Sequence, residues 1–142
     1  MESITVAIAD PDRSGMAACK SMLQHDRDIT VVRQTTSGKG LVCKMLQLKP
    51  RILLLSLGLC TDAECSVLQA LRRACPETRV VLLAHHSVQE ERLANALAIG
   101  ARGYLEQDDV RRLLTTAVHC VDRGEAWVSR KMLGKIMAMA FP

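Results

Sequence analysis

Residues able to do chemistry are sparse in this sequence and fall in short runs. Asp10 and Asp12 bracket Pro11, Ser56 closes an apolar run, His85 and His86 stand side by side, and Glu106 and Gln107 precede Asp108 and Asp109. A carboxylate beside a helix start can accept hydrogen bonds from unpaired N–H groups, and the same group can hold a divalent cation. Asp10 is read as a cap for a first helix, with Pro11 at its opening where a missing N–H costs nothing, or as a residual metal ligand. Asp12 is an alternative cap or a second acid. Ser56 has no G-x-S-x-G elbow around it, so bonding to nearby backbone is favoured over use as a nucleophile. His85 and His86 are expected in a loop.

The six cysteines, at 19, 43, 60, 65, 75 and 120, form no C-x-x-C pair and have no histidine at ligand spacing. Cys19 is in helical register with Met16 and Leu23, and Cys75 with Leu68 and Leu71. Reduced thiols acting as small core side chains are expected, which suits a cytoplasmic protein. With no glycine-rich phosphate loop, nucleophile–base pair or metal cluster in the sequence, an enzyme is disfavoured and neither cofactor nor metal is expected.

These residues need a scaffold to position them. The chain of 142 residues is 49% hydrophobic but only 2% aromatic, so its core is built from Leu, Val, Ile, Ala, Met and Cys. The net charge of +4 is dispersed. Pairs such as Arg72–Arg73 and Arg111–Arg112 have carboxylates nearby and read as solvated helix faces, not a nucleic-acid surface. Tyr104, Trp127 and Phe141 are the only aromatics, too few for a base-stacking platform. No apolar run approaches the ~18 residues of a membrane span, and no signal-peptide pattern is present.

Short apolar runs alternate with segments of helical period. Strands are expected at Ile4–Ala9, Ile29–Val32, Ile52–Leu57, Val80–Ala84 and Gly103–Leu105. Helical faces are marked by Met16, Cys19 and Leu23; by Leu41, Val42, Met45, Leu46 and Leu48; by Val67, Leu68, Leu71 and Cys75; by Leu93, Ala94 and Leu97; and by Val110, Leu113, Leu114, Ala117, Val118 and Val121. Pro50 and Pro76 separate helix from strand. Ser37 and Asp108 are expected to cap the second and fifth helices, and Gly100 and Gly124 to end the fourth and fifth. Five such alternations predict an α/β doubly wound parallel sheet over residues 1–124. Residues 125–142 then form an extension: Trp127–Ser129 extended and Arg130–Met139 helical. Its Met132, Met137 and Met139 either pack back on the domain or form an exposed interaction surface.

Ligands of such a sheet gather at the carboxyl ends of its strands. Asp10 to Asp12, Ser56 to Cys60, Ala84 to Ser87 and Glu106–Gln107 lie there. From Ile4 to about Val128 the chain resembles the receiver domain of response regulators, specifically the LuxR-type (NarL/FixJ) group. The runs ITVAIADPD, KPRILLLSLGL, LQALRRACPETRVVLLA and AIGARGYLEQDD carry the resemblance, followed by RGEAWVSRKML. There is one apparent extra residue between Ala84 and Gly100.

The resemblance implies a flavodoxin/CheY-like sheet of order 2-1-3-4-5 with an appended C-terminal helix. It also implies that the working positions of a receiver have changed. The Mg²⁺-binding acid pair is Asp10 and Pro11, the phosphoacceptor position is Ser56, the hydroxyl position after the fourth strand is Ala84, and the lysine position is Gln107. Asp10 and the aromatic Tyr104 are kept, Tyr104 as a packing residue more than a switch. A degenerate receiver of this kind is expected to be non-catalytic, independent of phosphorylation and of a histidine kinase, and to act as a homodimer through its first and fifth helices or by binding a partner. DNA would be reached only through a helix-turn-helix domain outside these residues. The alternative is a sensor holding an uncharged effector among Ser56, Ala84 and Pro11.

Overall fold

A strand buried on both sides belongs inside a parallel sheet covered by two helical layers, and the apolar runs fold in this way. The computed structural model describes residues 2–62, 64–84 and 90–141. The strands are β1 (Ile4–Ala9), β2 (Ile29–Thr35), β3 (Ile52–Ser56), β4 (Arg79–Ala84) and β5 (Gly103–Glu106). They are parallel, in the expected order β2-β1-β3-β4-β5. The helices are α1 (Arg13–Gln24), α2 (Leu41–Leu48), α3 (Ser66–Ala74), α4 (Glu90–Ile99), α5 (Gln107–Asp122) and α6 (Arg130–Ala140).

Alternation along the central strand divides the core in two. Ile52 and Leu54 of β3, with Ile8 and Val81, pack against Met16, Cys19 and Leu23 of α1 and Leu114, Ala117, Val118 and Val121 of α5. Leu53 and Leu55, with Leu82, face Leu41 and Met45 of α2, Leu68 and Leu71 of α3, and Leu93, Ala94 and Leu97 of α4. Each fully buried leucine of this kind contributes about 1.5–3 kcal/mol. Cys19, Cys60, Cys65, Cys75 and Cys120 are buried without disulfides, whereas Cys43 is exposed.

Several local expectations need correction. Ser37 does not cap α2: the helix starts at Leu41 behind Gly40, whose φ of 69° makes the turn that a side chain would strain, and Ser37 Oγ accepts from the Lys39 N–H at 3.0 Å. Asp108 does not cap α5, because β5 runs to Glu106 and the helix starts at once at Gln107. Asp108 and Asp109 sit in its first turn, where carboxylates offset the positive helix end. Leu46 and Leu48 are exposed: α2 is short, and Leu41 and Met45, one turn apart, are its buried residues, with Val42 packed beside them. Edge strand β2 continues past Val32 through Arg33–Thr35, with Arg33 exposed and Gln34 and Thr35 half buried. Gly100 and Gly124 end α4 and α5 with positive φ as expected.

The C-terminal segment lies on the domain. The Trp127 N–H donates to the Arg102 carbonyl at 3.0 Å and the Tyr104 N–H to the Trp127 carbonyl at 3.1 Å, so this segment pairs with the outer edge of β5. Ser129 Oγ then caps α6 by accepting from the Met132 N–H at 3.0 Å. The helix lies against α4, with Lys131 and Lys135 paired to Glu90, Met132 in the core and the half-buried Ile136 packed against it. Met137 and Met139 are exposed, as are Leu133 and Phe141. The methionines thus divide between packing and exposure. No helix among the described residues is long and apolar enough to cross a membrane.

A Cβ at Gly103 would stand 2.7 Å from the Trp127 carbonyl oxygen. Gly103→Ala is therefore expected to push Trp127 off the β5 edge and to cost about 1–3 kcal/mol. Trp127 is the single tryptophan, so a red shift of its emission, together with a lowered urea midpoint, checks this.

Candidate functional site at the carboxyl edge of the sheet

Parallel strands deliver their last residues to one edge, which brings Asp10, Ser56, Ala84 and Glu106 together. Asp10 is almost fully buried, and its Oδ1 accepts from the Asp12 N–H at 2.9 Å. Asp12, and not Asp10, is the α1 N-cap, with Oδ1 accepting from the Ser14 N–H at 3.1 Å. Pro11 lies outside the helix, which starts only at Arg13, so the cap falls two residues later than Asp10. A Cβ on Gly15 would lie 3.1 Å from Asp12 Oδ2 and 3.6 Å from Asp10 Oδ2, so both carboxylates converge over this glycine.

Ser56 is wholly buried. Its Oγ accepts from the Gly58 N–H at 3.1 Å and caps a 3-10 turn, Leu57–Leu59. This agrees with the reading of Ser56 as a local backbone partner. Pro11 Cγ and Ser56 Oγ would each lie 3.3 Å from a Cβ on Gly58, so the ends of β1 and β3 close over that residue. Arg92 reaches from α4 and donates to the carbonyls of Leu57 and Cys60, sealing the turn. Nothing in the sequence singles out Arg92, because its partners are backbone atoms of a distant loop.

Burial pushes the Cys60 thiol up to about 12, helped by the adjacent Cys65. Burial and the Asp10 charge push Cys19 up to about 11. Both thiols are protonated at neutral pH and are poor nucleophiles.

Ala84 is buried at the end of β4, opposite Glu106. His85, His86 and Ser87 lie outside the described residues. Tyr104 is half buried, packs against the core, and donates through its hydroxyl to Ser129 Oγ at 3.3 Å. Gln107 opens α5 and, with Asp10, Asp12, Cys19, Val110 and Arg111, lines a cleft of about 160 Å³ between α1 and α5. Ser56, Ala84 and Pro11 do not line it. At the end of β3 the edge thus presents a neutral, hydrogen-bonded hydroxyl; of the two acids at β1 one is buried and one caps a helix, and Glu106 closes β5.

No protein-family model matches the chain. It is 27% identical over 143 residues to the uncharacterized transcriptional regulatory protein YxjL of Bacillus subtilis, covering 99% of this chain and 64% of YxjL. It is also 27% identical over 129 residues to the oxygen regulatory protein NreC of Staphylococcus aureus, covering 89% of this chain and 58% of NreC. The chain thus spans roughly three fifths of the length of these curated relatives. Its fold superposes on the isolated REC domain of RcsB from Salmonella enterica serovar Typhimurium in the apo form, with a TM-score of 0.83 at 15% identity, covering 96% of this chain and 99% of that domain.

Asp12→Ala removes the α1 cap and is expected to cost about 1 kcal/mol. Asp10→Asn, which keeps an acceptor for the Asp12 N–H, should cost less. Urea denaturation of the two variants checks the order.

Proposed function

We propose that the chain is a receiver domain of the LuxR-type response-regulator kind, one part of a signalling regulator, a reading its sequence relatives and its fold support, and that it works without phosphorylation, as a cytoplasmic module that binds a second copy or a partner. Receiver chemistry requires a carboxylate that attacks phosphorus, an acid pair that holds Mg²⁺, and a cation that offsets the transferred charge. The observation that carries the reading is Ser56. At the end of the central strand stands a buried hydroxyl whose oxygen is engaged by the Gly58 N–H. The other positions agree: the Pro11 side chain has no ligand atom, Asp12 is occupied as a cap, Ala84 has no hydroxyl and Gln107 no charge. On this reading Ser56, Pro11, Ala84 and Gln107 are a degenerate phosphorylation site, residues 1–124 are the receiver unit and residues 125–142 its extension.

A partner face on α1 and α5 is supported by what the C-terminal segment covers. That segment lies along β5 and α4 and leaves Ala17 and Ala18 of α1 exposed beside the half-buried Met22, Val110 and Leu113. RcsB, which shares the fold, is known as dimers bound to DNA. For this chain, contact with DNA would belong to a further domain, since its net charge is only +4 and carboxylates lie near its arginine pairs along the sequence. The alternative of an uncharged effector among Ser56, Ala84 and Pro11 gains no support from the cleft at this edge, which other residues line and two carboxylates enter.

The REC domain of RcsB has been studied with the phosphomimetic BeF₃⁻, and the same probe tests this reading. Calorimetric titration with BeF₃⁻ and Mg²⁺ is expected to give no saturable heat; tight binding would defeat the proposal. Light scattering on the purified chain is expected to give the mass of a dimer that Ala18→Arg returns to monomer. A monomer at every concentration, or a dimer broken by Met137→Glu and not by Ala18→Arg, removes the α1–α5 face.

A further inference from the structure

Away from this edge, where α1 runs out and β2 starts, two acids and a histidine converge. The turn between the elements is held by its own backbone. The Asp26 N–H donates to the Leu23 carbonyl at 3.1 Å, the Ile29 N–H to the Asp26 carbonyl at 3.3 Å, and the Ile4 N–H to the Asp28 carbonyl at 2.6 Å. The Asp28 N–H donates to Asp26 Oδ1 at 2.8 Å, which orients that carboxylate. From α5, His119 brings Nε2 to 2.8 Å from Asp26 Oδ2. One ligand atom each of Asp26, Asp28 and His119 lies within 4.8 Å of the others. We infer that Asp26, Asp28 and His119 form a site for one divalent transition-metal ion of the zinc, cobalt or nickel class.

Geometry, charge and donor chemistry agree. Bonds of about 2.0–2.2 Å to nitrogen and oxygen place neighbouring ligands roughly 3 Å apart and opposite ones a little over 4 Å apart, so the observed spacing suits one ion with little movement. An imidazole nitrogen beside two carboxylate oxygens favours a borderline cation over magnesium or calcium, which take oxygen shells. Among the described residues no lysine or arginine pairs with either carboxylate, and His119 is the only partner of Asp26 that could carry positive charge. A divalent ion would offset both acids. The side chains of His119 and Asp26 are 29% and 22% exposed, open enough for an ion to enter and leaving room for water ligands. The ligands belong to segments far apart in sequence, so an ion here pins α5 to the α1–β2 turn. The site is independent of the phosphorylation question, and its test does not depend on dimer formation.

The test is a titration of the metal-stripped full chain with Co²⁺, followed by calorimetry and visible absorbance. One equivalent should bind, with weak d–d bands and no sulfur-to-cobalt charge transfer. His119→Ala and the isosteric Asp28→Asn should each weaken binding at least tenfold, while Cys43→Ala leaves it unchanged; circular dichroism confirms that each variant is folded. No saturable binding overturns the inference. So does a charge-transfer band, which would put the ion on thiolates, or an affinity that neither ligand variant alters. If Co²⁺ does not bind and His119→Ala merely lowers the melting temperature, the trio is a hydrogen-bonded clasp and the metal site is refuted.

Discussion

All five residues of β3 are buried, with neighbouring strands on both sides and helices on both faces. Such a strand excludes charge along its length, because an unpaired ion in that surrounding costs far more than a domain can offset. Its last side chain is the first that can be polar, and it is still fully buried. A carboxylate at that point needs counter-charges held within a few ångströms; a hydroxyl needs one hydrogen bond. Ser56 takes the second course, and the Gly58 amide supplies the bond. Neutrality at this atom lets the following loop close into a capped turn with Pro11 packed beside it and Arg92 fastened over its carbonyls.

The rest of the edge follows. Asp12 is spent on the first turn of α1, while Asp10 is buried and bonds back to the Asp12 amide. What opens to solvent is displaced toward the α1–α5 side, where two carboxylates, an amide and a guanidinium surround a small cleft. Tyr104, on the neighbouring strand, points its hydroxyl at the α6 cap.

The C-terminal segment answers a different constraint. A parallel sheet leaves unpaired N–H and C=O groups on each outer strand, and on β5 Trp127 meets part of that need. Once Trp127 is seated, α6 falls across α4, where Glu90 holds Lys131 and Lys135. The Lys135 hydrogen bond, followed by the charges of both ammonium groups, holds the Glu90 carboxyl below its ordinary range. The outer side of α6 carries the exposed Leu133, Met137 and Met139, with Phe141 just beyond the helix.

The sequence by itself determined the layered α/β architecture. Apolar runs of strand length between segments of helical period permit little besides a sheet covered on both faces, and the period put Cys19 and Cys75 in the core. It also showed that a serine, a proline, an alanine and a glutamine stand where the resemblance expects charged or hydroxyl groups. Only the tertiary structure decided where the caps fall. A cap depends on where the backbone turns, so Asp12 displaced Asp10, and Gly40 made the turn expected of Ser37. It alone revealed Arg92 over the β3 turn, Trp127 on the β5 edge and His119 against Asp26, 93 residues away. Periodicity reports which face a residue occupies on its own element; it carries no record of which distant backbone or side chain that face will meet.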